Sequence, residues 1–346
     1  MSGITAARKS QELSTDMRSI WAKGRFSGVL WLVGAVICAC LPASGLFGAQ
    51  RSAAAAPAAA GAPAAGARGF DTPRQAADAV VNAAAKYDVP AIVQIFGPSA
   101  KDILFTGEPP RDRQRAADFA AEAKEKTTIS VDAKTKDRAF IIVGKEDWPF
   151  PVPLVKKGGK WSFDIQAGRQ ELLYRRIGAN ELDAITVCRG YVEAQYEYAL
   201  KKREGYQVHQ YAQRIISTPG KQDGLAWRNP DGTWGGPVGE NVAHAIAQGY
   251  TSRAEPFHGY FFKVLKGQGP AAPRGAMDFV VKGVMIGGFG LAAAPAEYRV
   301  TGVKTFIVSY EGIVYQKDLG PNTLAIFRKM TLYNPDKTWQ RTDDKW

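Results

Sequence analysis

The chain has 346 residues, 45% hydrophobic and 23% charged, which excludes a disordered segment and leaves room for one large or two ordinary domains. Of its three cysteines only Cys188 lies beyond residue 40, so the body holds no internal disulfide and must stand on core packing. Net charge is +12; five bases and two acids fall in the first 50 residues, leaving 40 bases against 31 acids, or +9, on the remainder.

Residues 1–25 form a basic N-terminal region, and residues 26–49 an uncharged, mostly apolar stretch strongest from Val29 to Leu41. Lys23 and Arg25 flank it on one side, and Pro42 and the small residues Ala43-Ser44-Gly45 close it on the other. That layout is a secretory signal. It is also long enough for a retained anchor with its basic end in the cytoplasm. In a third reading, Ile37-Cys38-Ala39-Cys40 loosely resembles a lipoprotein box with Cys40 lipidated. All three export the body, to the periplasm or to a membrane-anchored position facing it. Residues 50–69, rich in Ala, Pro and Gly, form a linker with almost nothing to bury.

The fold class expected is α+β, with one subdomain over 70–165 and another over 166–346. Thr72-Pro73 offers a cap and a first-turn proline for a helix to Tyr87. Further helices follow over Val89–Phe96 and Pro109–Lys124. The hydrophobic period then shifts to two: Thr127–Val131, Ala139–Val143 and Val152–Val155 read as strands. A Lys157-Gly158-Gly159-Lys160 turn leads to a fourth at Trp161–Asp164. This gives helices followed by an antiparallel sheet.

The second subdomain opens with helical segments over Gly168–Ile177 and, capped by Asn180, to about Arg203. Leu182, Ile185, Cys188, Val192, Tyr196 and Ala199 recur every three or four positions, so Cys188 reads as a buried, inert thiol. Ser217–Gly239 is rich in Pro-Gly, Asp-Gly and Gly-Gly pairs and reads as loop, with a short helix over Val238–Gln248. Strands follow at His258–Leu265, Ala276–Met285, Gly288–Ala293, Val303–Ser309 and Ile313–Asp318, the last two joined at Glu311-Gly312. The expected architecture is a long helix packed on an antiparallel meander. Gly287-Gly288-Phe289-Gly290, inside a strand pattern, marks close backbone packing or a bulge.

Asp147–Val155 (DWPFPVPLV), Arg175–Leu182 (RRIGANEL), Tyr211-Ala212-Gln213, Ser217–Leu225 (STPGKQDGL), Phe257–Phe262 (FHGYFF) and Gly302–Val308 (GVKTFIV) together resemble the signature blocks of a bacterial exported family. That family is catalogued as domain of unknown function 2950. The resemblance spans about Phe70 to the C-terminus and implies an envelope location, with no active-site residues to carry over. More weakly, His258–Phe262, Ala293–Pro295, Gly302–Phe306 and Glu311–Tyr315 look like the meander of pilin-like proteins, which implies a structural or assembly role as an alternative.

No zinc spacing, nucleophile elbow or dinucleotide fingerprint occurs, so neither a metal nor a cofactor is expected. Among three histidines, His258 is the candidate acid or base. With Asp223 or Ser217 it frames an envelope-hydrolase alternative. Trp227 and Trp234, beside Lys221 in the turn-rich region, are candidates for ring stacking or protein contact. A basic exported surface attracts lipid head groups, lipopolysaccharide phosphates and anionic glycans, with no nucleic acid expected; the charge also serves solubility. The leading expectation is a non-enzymatic binding or scaffold module for an anionic envelope component or envelope protein.

Overall fold

The computed structural model describes residues 66–202, 207–238 and 256–342. The expected export segment, most of the expected linker, all but the first residue of the helix expected over Val238–Gln248, and His244 lie outside them. The fold is α+β. Two compact units divide at Tyr174/Arg175, inside the longest helix.

In the first unit, α1 (Pro73–Ala85) starts at Thr72, whose hydroxyl accepts the Gln75 N–H at 3.2 Å, with Pro73 next in line. Such a cap stabilises a helix by about 1 kcal/mol. Asp88 caps α2 (Val89–Phe96) in the same way, through the Ala91 N–H at 3.0 Å. A 3-10 turn leads to the short α3 (Lys101–Leu104), and α4 (Pro109–Glu125) is polar on one side. The strands are β1 (Thr127–Val131), β2 (Arg138–Val143), β3 (Trp148–Pro149), β4 (Leu154–Lys157) and β5 (Lys160–Phe163). They pair antiparallel in the order β1-β2-β4-β5, with β3 also on β2. The β4–β5 turn places Gly158 and Gly159 at φ of 56° and 81°, the two positive angles that a tight hairpin needs. Ala76, Ala77 and Val80 of α1 meet Phe96, Ile141, Leu154 and Phe163 in one core.

Helix α5 (Ile165–Ala199) is one continuous helix of 35 residues rather than two. Asn180 does not cap a break; its Nδ2 donates to the Thr301 carbonyl at 2.8 Å. In the second unit Ile185, Cys188, Tyr191, Val192 and Tyr198 bury one stripe of this helix.

The stretch read as loop over Ser217–Gly239 holds two strands among its described residues, and a third precedes it. Strands β6 (Arg214–Ile216), β7 (Gly224–Arg228) and β8 (Trp234–Gly235) form a small sheet, with β6 parallel to β7 and β8 antiparallel to it. Leu225 and Ala226 are fully buried, and that burial outweighs the turn residues on either side. Strand β9 (Tyr260–Leu265) follows. The single strand expected over 276–285 is instead split: β10 (Gly267–Gln268) pairs with β11 (Met277–Asp278), and β12 (Val280–Val281) with β13 (Val284–Met285). Lys282 and Gly283, at φ of 49° and 83°, make the tight turn that breaks it.

The main sheet adds β14 (Gly290–Pro295), β15 (Lys304–Ser309), β16 (Val314–Asp318) and β17 (Gln340–Arg341), all antiparallel in the order β17-β16-β15-β14-β9. All six residues of β14 are buried. Leu291 and Ala293 join the core with α5, while Ala292 and Ala294 join a second core with Phe327 of α6 (Thr323–Lys329) and Tyr333. The glycines before β14 are packed tightly, as read: a Cβ on Gly288 would come within 2.7 Å of the Tyr310 ring.

Candidate functional site

The most elaborate surface of the second unit lies where the end of α5 meets β6 and β7. Gln195, fully buried on α5, reaches the chain before β6: its Oε1 accepts the Ala212 N–H and its Nε2 donates to the Ala212 carbonyl, both at 2.8 Å. The next residues are tied on the other side, Tyr211 N–H to the Met285 carbonyl at 2.8 Å and Gln213 Nε2 to the Gly283 carbonyl at 2.7 Å. One turn on, the Tyr198 hydroxyl donates to the Gln222 carbonyl at 2.6 Å and holds the β6–β7 connection to the helix.

That connection is itself preformed. Asp223 accepts from the Thr218 N–H at 2.7 Å and from its hydroxyl at 2.8 Å. Between them Pro219 and Gly220 (φ 77°) make a turn closed by the Lys221 N–H on the Thr218 carbonyl at 2.9 Å. The β7–β8 tip is equally ordered. Asp231 accepts from the Thr233 N–H and hydroxyl at 2.9 and 2.6 Å, and Arg228 donates to the Gly232 carbonyl at 2.6 Å. The Arg228 guanidinium lies 4.4 Å from the Trp234 ring centre, a cation–π contact.

These pieces enclose a cleft of about 1140 Å³. Among the described residues, Lys202, Arg214, Lys221, Arg228 and Lys266 line it, with Asp223 the one carboxylate. Asp223 is committed already, to Thr218 and, at 3.6 Å, to Arg214. Lys266 Nζ lies 3.3 Å from Gln213 Oε1. Trp227, Tyr198 and Tyr211 supply apolar wall. Burial pushes the Tyr211 phenol above its ordinary range.

Of the residues singled out from sequence, Lys221, Trp227 and Asp223 meet in this cleft, while Trp234 stands behind Arg228. His258 lies elsewhere. It sits at φ 46° in the turn that closes the Phe257–Tyr260 bridge, its Nδ1 paired with the Asp183 carboxylate of α5 and its ring 4.2 Å from that of Phe257. Ser217, buried, accepts the Gly224 N–H at 2.9 Å. His258 thus has Asp183 as its carboxylate, and Asp223 and Ser217 are bonded within the β6–β7 connection. Cys188 is fully buried and its thiol is pushed up to about 12, the inert residue its position in the helical stripe suggested.

Lys202, Arg214, Arg228 and Lys266 were not singled out. They come from separate segments that only the parallel β6–β7 pairing and the Gln195 clamp bring together, and no local pattern marks them. Among the described residues, no helix is long and apolar enough to cross a membrane, and no group of three or more His, Cys, Asp or Glu could hold a metal ion.

Residues 67–342 match the family described as Protein of unknown function (DUF2950). The chain belongs to this family. Comparison with curated proteins and with solved structures finds no match. In this DUF2950 protein the whole cleft falls inside the matched region. Two of the sequence blocks that carried the resemblance, 211–213 and 217–225, build its walls.

Proposed function

We propose that this DUF2950 protein is an exported cell-envelope module that binds an anionic partner through its basic cleft, acting as a binding or scaffold component rather than an enzyme. The observation that carries this reading is the convergence of five cations on one cleft where the one carboxylate among the described residues is already engaged. Unlike charges strung along a surface for solubility, cations from separate segments gathered in a concavity focus the field on whatever enters it. Preformed turns around the cleft reduce the ordering cost of binding. The secretory layout of residues 1–49 and the +9 remainder of the chain support a setting where lipid phosphates and charged glycans are its neighbours.

The test is co-sedimentation of the purified full chain with isolated bacterial envelopes at about 0.1 M and about 1 M salt, where the screening length falls from about 10 Å to about 3 Å. Binding at low salt that is lost at high salt supports the reading. Absence of binding, or binding indifferent to salt, sinks it.

A further inference from the structure

We infer that the occupant of the cleft is a polyanionic glycan, a chain of sugar rings bearing repeated negative groups; this rests on the anion-binding role proposed above. The first argument is size. At about 1140 Å³ the cleft exceeds the roughly 300–1,000 Å³ that suits a single drug-sized ligand.

The second argument is the distribution of charge. A site for one small anion gathers its donors onto one point, as a helix N-terminus or a nest of backbone N–H groups does. Here the cations stand just past the end of α5, on β6, in the Pro219-Gly220 turn, on β7 and just after β9. Lys202, Arg214, Lys221 and Lys266 all have exposed side chains. Long, exposed lysines and arginines spread along a wall match a ligand whose charges repeat along its length.

The third argument is the aromatic wall. Trp227 is half-buried, packed on the core along part of its ring and lining the cleft with the rest, and Tyr211 lines the same cleft. Flat aromatic faces between cations suit the C–H faces of sugar rings. A bare polyphosphate offers nothing for them to touch. Tyr211 adds a hydroxyl of the kind that orients sugar hydroxyls.

The experiment is calorimetric titration of the full chain with dextran sulfate, with neutral dextran of equal length, and with polyphosphate of equal charge. Dextran sulfate is expected to bind about tenfold or more tighter than either control, the scale of a few well-placed contacts. Lys221→Ala/Lys266→Ala should weaken it on the order of tenfold, and Trp227→Leu by a similar factor while leaving polyphosphate binding unchanged. Because Trp227 packs on the core, the ligand comparison decides the matter even if that variant does not fold.

Polyphosphate binding as tightly as dextran sulfate overturns the glycan inference and leaves the anion-binding role standing. Equal binding of neutral dextran overturns both. So does a failure of both polyanions to bind.

Discussion

Gln195 holds Ala212 by both of its backbone groups, accepting the N–H and donating to the carbonyl at 2.8 Å each, so that one side chain of α5 stands in for a neighbouring strand. Its Nε2 also donates to the Tyr191 hydroxyl at 2.8 Å. Gln195→Leu keeps the volume and strands two buried polar groups, the Ala212 N–H and carbonyl, while the Tyr191 hydroxyl keeps its bond to the Gly290 carbonyl. Each such group costs about 1–3 kcal/mol, and partial relaxation brings the expected total to about 2–5 kcal/mol. Urea unfolding measures it; a loss below about 1 kcal/mol would show that the clamp is ornamental.

Reversing two cleft cations should separate binding from folding. Lys221 and Lys266 are exposed and make few contacts of their own. Lys221→Glu/Lys266→Glu is expected to abolish salt-sensitive envelope binding while stability stays within about 0.5 kcal/mol of the parent. Retained binding in this variant would move the site elsewhere.

Cys188 gives a prediction in alkali. Burial raises its thiol from 9.0 to about 12, so the unfolded chain releases this proton first. The stabilisation is fully present below pH 9 and is lost as pH rises towards 12. Cys188→Ala should flatten that part of the pH–stability curve. In the folded protein at pH 8, peptide mapping after iodoacetamide treatment should find Cys188 unmodified, and modified once the chain is denatured.

Asp112 gives the opposite sign. The Thr106 N–H reaches its two carboxylate oxygens at 2.9 and 3.0 Å, and the Thr106 hydroxyl donates at 2.8 Å, holding the carboxyl below its ordinary 3.8. Stability from this group is present above pH 3.8 and is lost as pH falls through the depressed value. Asp112→Asn is expected to lower Tm at neutral pH, with the gap to the parent closing in acid. A gap constant with pH would point to packing instead.

Two glycines separate strain from crowding. Gly107 and Gly288 both have positive φ, 84° and 143°, but an added Cβ meets nothing at Gly107 and lands 2.7–2.9 Å from the rings of Tyr310 and Phe279 at Gly288. Gly107→Ala should cost about 1 kcal/mol, the penalty of the backbone conformation alone. Gly288→Ala should cost clearly more, about 2–4 kcal/mol, because aromatic rings must shift in a packed core. Thermal denaturation of the two variants side by side checks the ranking.

The helices and meander strands were legible because burial repeats along them at a regular period: Ile185, Cys188 and Val192 on one, Phe306 and Val308 on another. What escaped was set by partners distant in sequence. Asn180 looked like a cap because its type suits one, yet Thr301 offers its amide a better bond inside a continuous helix. Strand β7 is five residues between turn signals, and only pairing with β6 and burial of Leu225 make it a strand. The cleft was half visible: Lys221, Trp227 and Asp223 share a local stretch, whereas Lys202 and Lys266 reach it from 19 or more positions away through tertiary packing.

Strand β14 carries alanine methyls towards two different cores, Ala293 on one face and Ala292 and Ala294 on the other. It works as a thin partition whose slimness sets the separation between the layers on either side. A methyl group added to one face can be relieved by pushing the strand towards the other, but only once. Enlargements on opposite faces therefore compete for the same slack, and Ala292→Val combined with Ala293→Val should be worse than the two single changes taken together. Along this segment the two cores are free to vary only in concert.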